Sequence, residues 1–326
     1  MRLGISTASL HGRMNTEDAL RWIGDTGASC AEVFLSSHSE YKRSFAARLF
    51  SAQRDTGVQV SSIHTLNTHF EAQLFSSGRQ MDDALAIFES VLAIAEELGA
   101  QNYVMHGPGI IKYMKYNTDY SFYGERTAFF SGLCERRGVK LTWENVHWAH
   151  YNHPDFITRL AHECPCPVYT TLDIKQAMQS GEDYMSYLSL MAGRLENVHI
   201  CDYDHEGMLY MPLKGEFDFN SFFDRLVSFQ YQGPVIIEVY NKCYQELDEL
   251  TECYKSLSKI LEGRSAWRAI YLITKFSLII IWSLETGDRI ITNCWSSRLC
   301  ARICPNWRIK AYWIWDAVTG ITAGIS

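Results

Sequence analysis

Six ionisable side chains close short β-like runs along the chain: His64, His106, Glu144, Asp173, His199 and Glu238. Singly, each has a plain structural use, since a lone histidine is commonly a hydrogen-bonded core group and a lone carboxylate commonly caps the next helix. Together they pose a different problem. Three carboxylates gathered at one point repel one another and lose hydration, and a divalent cation relieves both costs. Carboxylate oxygen combined with imidazole nitrogen suits Mn2+, Mg2+, Co2+ or Zn2+ and disfavours soft thiophilic metals. The chemistry within reach of such a centre is polarisation of a substrate oxygen and transfer of a neighbouring proton.

The elements that must bring these residues together are visible in the hydropathy pattern. Eight β-like runs cover residues 2–8, 30–35, 58–64, 102–106, 139–144, 168–173, 197–202 and 234–239. Most intervening segments carry helical periodicity, clearest over 82–98, where Leu85, Phe88, Leu92 and Ala95 fall on one face. Gly27, Gly57, Gly99 and Gly138 each follow a helical stretch and precede a strand, the place of a helix-terminating glycine. This rhythm implies parallel strands joined by crossover helices. Near-continuous apolar runs such as Pro-Val-Ile-Ile at 234–237 suit a sheet covered on both faces. Eight units predict a closed α/β fold, the (β/α)8 TIM barrel, over residues 1–263. The doubly wound alternative lacks any G-x-G-x-x-G or G-x4-G-K-[ST] loop after a strand. In a barrel the strand C-termini line one cup, so all six groups open onto the same space.

Composition narrows the function classes. The chain of 326 residues is 47% hydrophobic and 21% charged, ample for a large core. Its net charge of −7 is uneven: eight Lys/Arg against three Asp/Glu give residues 264–326 a charge of +5, which leaves −12 on the barrel. An acidic barrel repels a phosphate backbone, so no nucleic-acid partner is expected. Ten scattered cysteines show no framework spacing, and reduced thiols are expected. The N-terminal residues lack the pattern of a secretory signal, and a cytoplasmic location is expected.

Residues 264–326 differ in texture, holding six of the nine tryptophans and no strand–helix rhythm. This tail reads as hydrophobic, atypical sequence unrelated to the barrel. A membrane-seeking reading of 269–284 is interrupted by Lys275 and is short for a span, and a knuckle of Cys294, Cys300 and Cys304 fits no familiar zinc spacing. No membrane association is expected unless the tail is genuine.

Several segments carry a family resemblance: Ser62-Ile63-His64, Val104-Met105-His106-Gly107-Pro108, Thr142-Trp143-Glu144-Asn145, Thr171-Leu172-Asp173-Ile174-Lys175-Gln176, Val198-His199-Ile200-Cys201-Asp202 and Ile236-Ile237-Glu238. In order and spacing they resemble the xylose isomerase-like superfamily. Within it they look like the sugar phosphate isomerase/epimerase group, relatives of ketose 3-epimerases, hydroxypyruvate isomerase and inosose dehydratase. The segment Pro212-Leu213-Lys214-Gly215-Glu216-Phe217-Asp218-Phe219 resembles the loop before that group's last helix–strand unit.

The resemblance implies that Glu144, Asp173, His199 and Glu238 hold one divalent ion, with Glu144 and Glu238 also acting as acid and base on a small carbohydrate. Proton transfer through an enediolate gives isomerisation or epimerisation, and loss of a β-hydroxyl gives dehydration. Gln176 and His205 stand where ketose 3-epimerases have a histidine and a substrate-binding arginine; a glutamine can hydrogen-bond a hydroxyl but cannot carry protons. His64 and His106 are read as contacts to substrate hydroxyls or as support of the cage. A second metal there stays open, because endonuclease IV binds one at those strand ends, and an apurinic-site endonuclease is the alternative function. Against it, the D-x-H pair expected over 202–218 is missing. Trp143, Trp148 and Tyr240 are open between sugar stacking and packing. Lys175, Lys214 and Lys242 could meet a phosphate, although no glycine-rich helix N-terminus follows the last two strands. Homo-oligomerisation is left open.

Overall fold

The computed structural model describes residues 1–66, 69–110, 118–275, 279–282 and 289–292, with side chains as far as residue 262. Short runs buried along most of their length form eight strands: β1 Arg2–Ser6, β2 Cys30–Leu35, β3 Gln59–Thr65, β4 Asn102–Met105, β5 Lys140–Glu144, β6 Tyr169–Asp173, β7 Leu195–Ile200 and, after a ribbon of β8 Asp202–Tyr203 and β9 Leu209–Tyr210, β10 Pro234–Ile237. The eight pair in parallel and close with β10 beside β1, while β8 and β9 pair antiparallel. The fold is thus a TIM barrel, as the sequence pattern implied.

The helix expected over 82–98 runs Arg79–Leu98. Its buried face is Ala84, Phe88, Val91, Leu92, Ala95 and Leu98, while Leu85 is only half-buried. Gly57 and Gly99 cap their helices with φ of +78° and +69°, a conformation that costs a side-chain-bearing residue about 1–2 kcal/mol.

Apolar side chains from strands and helices, among them Ile5, Val33, Ile63, Leu172, Val198 and Ile237, are fully buried. The barrel also holds a polar layer: Ser6, Glu32, Ser62 and Asn197 join by hydrogen bonds, and Thr142 meets Thr171 at 2.8 Å. This layer is the floor of the site.

The chain divides into two compact units, Met1–Lys259 and Ile260–Ser326. In the second, Ile279–Trp282 pairs antiparallel with Arg289–Thr292. Cys294, Cys300 and Cys304, the expected knuckle, lie outside the described residues. Among the described residues no helix is long and apolar enough to cross a membrane, and Cys164 and Cys166, with Sγ atoms 3.5 Å apart, are free thiols.

Candidate metal centre

Register sets the cage. Asp173 at the end of β6 lies directly across from His199 on β7. Glu144 ends β5, and Glu238 follows β10, its backbone N–H donating to Ile200 O at 3.0 Å. The Nδ1 atom of His199 is 3.1 Å from Glu238 Oε2, 3.3 Å from Glu144 Oε1 and 3.9 Å from Asp173 Oδ2. Glu144, Asp173 and His199 are buried, whereas the Glu238 side chain keeps 14% of its surface exposed and marks the open side.

Each ligand candidate is steered by a second set of contacts. Glu32, buried on β2, lies beneath His199 with Oε2 3.0 Å from its Nε2. The same carboxylate accepts from Ser62 Oγ at 2.7 Å, Asn197 Nδ2 at 3.0 Å and Ser6 Oγ at 3.3 Å. A carboxylate only accepts, so Nε2 carries the proton and Nδ1 is turned to the cage. Burial opposes the charge on Glu32, but His199 outweighs it and holds the carboxyl near 2. Burial likewise opposes charge on His199, and Glu32, Glu238 and Glu144 hold the imidazole well above its ordinary value. Sequence reasoning missed Glu32. The signal was there: it is the one charged residue in the otherwise apolar run Cys30–Leu35.

Asp173 divides its oxygens. Oδ1 caps the short helix Ile174–Gln179 by accepting from the Gln176 N–H at 2.9 Å, leaving Oδ2 for the cage. Asn145 clamps the Asp173 backbone from both sides, at 2.8 and 2.9 Å. Lys175 enters the same space, with Nζ 3.2 Å from Asp173 Oδ2 and 3.3 Å from Glu238 Oε1. Burial works against its charge, and Asp173 and Glu238 keep the ammonium protonated well above the usual lysine range.

His64 and His106 are brought to the other side of Glu144, their Nε2 atoms 3.6 and 3.3 Å from Oε2. His64 Nδ1 lies 3.2 Å from Val104 O, consistent with donation to that carbonyl. His106 rests on Glu71, a buried carboxylate that accepts its backbone N–H at 3.1 Å and also accepts from Thr65 and Tyr103. Nothing in the sequence around Glu71 announced this role. Gln176 turns Oε1 to His147, accepting its backbone N–H at 3.2 Å with Nδ1 2.6 Å away. His205 is not brought to the cage: it sits in the exposed turn between β8 and β9, 3.1 Å from Glu216. Trp143 is fully buried packing, Trp148 lies with its ring 5.2 Å from that of His106, and Tyr240 is 42% exposed at the rim.

Residues 20–262 match the xylose isomerase-like TIM barrel family. The chain belongs to that family. No curated protein matches it in sequence. Several solved structures share its fold. A D-tagatose 3-epimerase-like protein is 15% identical, with a TM-score of 0.67 over 80% of this chain and 97% of its own. The 3-keto-D-glucoside 4-epimerase of E. coli is 17% identical, with a TM-score of 0.64 over 80% and 98%. The IolI protein, solved with a bound zinc atom, is 16% identical, with a TM-score of 0.65 over 81% and 99%.

The residues of this family member fit a divalent ion on their own geometry. Asp173 Oδ2, His199 Nδ1 and Glu238 Oε2 are buried yet make no hydrogen bond of good geometry, and Glu144 turns Oε1 to the same nitrogen. Native proteins rarely leave such atoms unmatched, and a cation is the group that they and Glu144 Oε1 together would take. Ligand atoms of Glu144, Asp173 and His199 lie within 4.8 Å of one another, as do those of His64, His106 and Glu144. Asp173 carries the strain of the crowding: burial lifts its carboxyl to about 6, and Glu144 and Glu238 push in the same direction against the pull of Lys175 and His199.

Proposed function

We propose that this chain is a divalent-metal-dependent isomerase or epimerase of a small carbohydrate. The observation that carries the reading is the convergence of oxygens from Glu144, Asp173 and Glu238 on the buried Nδ1 of His199. A divalent ion held there would polarise a ketose carbonyl and its neighbouring hydroxyl, making the adjacent C–H acidic.

The chain's own residues supply the rest. Asp173 and His199, fixed by Asn145 and Glu32, serve as ligands alone. Glu144 and Glu238 also face the substrate space, so one removes the proton to give an enediolate and the other returns it from the opposite side. Delivery to the same carbon inverts it, and delivery to its neighbour exchanges aldose and ketose. His64 and His106 hold Glu144 from behind, their Nε2 atoms turned to its Oε2. The fold shared with proteins named as sugar epimerases, and the zinc bound in IolI, support this assignment.

The test is solvent-deuterium incorporation into a ketose panel by the full chain, stripped of metal and reloaded with Mn2+, Mg2+, Co2+ or Zn2+. Metal-dependent exchange that Glu144→Gln or Glu238→Gln abolishes is the expected result. The cluster of His64, His106 and Glu144 favours one second reading, an apurinic-site endonuclease with a further ion there. Metal-dependent nicking of abasic DNA without ketose exchange would establish that reading in place of the first.

A further inference from the structure

Lysine normally keeps its ammonium in water, so a lysine buried at a cluster of carboxylates marks a charge held there by design of the site. Lys175 is such a residue, 1% exposed. Among the described residues it is the one lysine or arginine paired with a cage carboxylate. The two carboxylates it touches also turn oxygens to His199, as Glu144 does. Asp173 has given Oδ1 to the Gln176 N–H, so its Oδ2 is shared between Lys175 and the cage. Glu238 splits instead, with Oε1 on Lys175 and Oε2 on the His199 side. The Tyr240 ring lies with its centroid 5.0 Å from Nζ.

We propose that Lys175 sets the charge of the metal centre, cancelling the single negative charge that a divalent ion would leave on Glu144, Asp173 and Glu238. The proposal rests on the reading that these residues and His199 hold such an ion. Glu32 adds a negative charge of its own beneath the cage, on the far side of the His199 ring and solvated by hydrogen bonds from His199, Ser62, Asn197 and Ser6.

Two consequences follow from elementary electrostatics. The ammonium works against metal affinity, since two cations share the same oxygens. It also favours a substrate that becomes anionic in the reaction, because an enediolate then forms beside a balanced centre rather than a negative one. Lys175 is therefore a positioning residue for charge, acting through Asp173 and Glu238.

The sign of one measurement separates this role from simple packing. Mn2+ affinity of the full chain is measured by competition with a chelating dye for wild type, Lys175→Met, Lys175→Gln and Lys175→Arg. A unit charge in contact with two ligands shifts the affinity for a divalent ion by at least about tenfold even under water-like screening. The neutral variants are expected to bind Mn2+ at least that much tighter while ketose exchange slows, and Lys175→Arg to stay near wild type. A lysine that merely filled space would leave a disordered cage and weaker binding on removal. Unchanged or weaker Mn2+ binding in whichever neutral variant folds overturns the proposal while leaving the cage intact. A wild-type chain that binds no Mn2+ overturns the cage reading itself, and the role of Lys175 with it.

Discussion

Replacing Glu32 by glutamine removes one charge and almost no volume from beneath the cage. The carboxylate accepts from His199, Asn197, Ser62 and Ser6, and glutamine keeps one acceptor oxygen for these donors while losing the charge that assists them. A drop of the Glu32 carboxyl from 4.5 to about 2 corresponds to about 3 kcal/mol of coupling to its surroundings. This agrees with the roughly 1.5–3 kcal/mol typical of a charged hydrogen bond. Because the depressed carboxyl contributes above 4.5 and loses its contribution as pH falls toward 2, the penalty fades on the acid side. Because His199 is raised, its contribution is complete below 6.5 and declines as pH rises past that value. Glu32→Gln should therefore destabilise the metal-free protein by about 2–3 kcal/mol, most strongly between pH 4.5 and 6.5, as read from urea melts across pH. The same variant should bind Mn2+ or Zn2+ about 10–100-fold more weakly, because the imidazole loses the partner that aims Nδ1. Metal affinity within twofold of wild type, with a stability penalty flat across pH, would refute the claim that Glu32 orients the ligand.

Glu144→Gln and Glu238→Gln should each slow deuterium exchange at least about 100-fold in a metal-loaded chain, and a drop below tenfold in either would remove it from proton transfer. His106→Asn should leave one bound metal per chain by elemental analysis while reducing ketose affinity; a fall from two metals to one would show that His64 and His106 hold a second ion. Gly107→Ala places a Cβ 2.4 Å from Trp143 Cζ3 at a φ of +71°, so a loss of about 3 kcal/mol or more in chemical melts is expected, and a neutral substitution would contradict the packing behind His106. Truncation after residue 263 should retain metal binding and exchange, whereas loss of soluble protein would make residues 264–326 part of the functional chain.

How much was legible follows from which physics is local. The strand ends were readable because an ionisable residue after an apolar run stands out, and the helix–glycine–strand rhythm fixes a parallel barrel that brings such ends together. The convergence of Glu144, Asp173, His199 and Glu238 on one nitrogen follows from that closure and from the register of Asp173 with His199. Contacts that cross the barrel were not readable. Glu32 meets His199 from 167 residues away, and Glu71 reaches His106 from the start of the short 3-10 helix Glu71–Phe75, whose sequence carries no sign of it. The place of Gln176 after Asp173 suggests a substrate contact or support of the cage, and the structure turns its carbonyl to His147, a pairing that only the folded β5 and β6 loops create. His205 was chosen by position in the same way, and the β8–β9 turn carries it into solvent beside Glu216. Lys175 offered a charge but no direction. The short helix starting at Ile174 turns it inward onto two carboxylates instead of outward toward a phosphate.

The central claim is that four residues hold one divalent ion, and anomalous diffraction from crystals of the full chain grown with Mn2+ tests it most directly. The account predicts a single strong peak within bonding distance of Glu144, Asp173, His199 and Glu238. Crystals with no peak among those side chains, or with the ion bound only at His64 and His106, would contradict it.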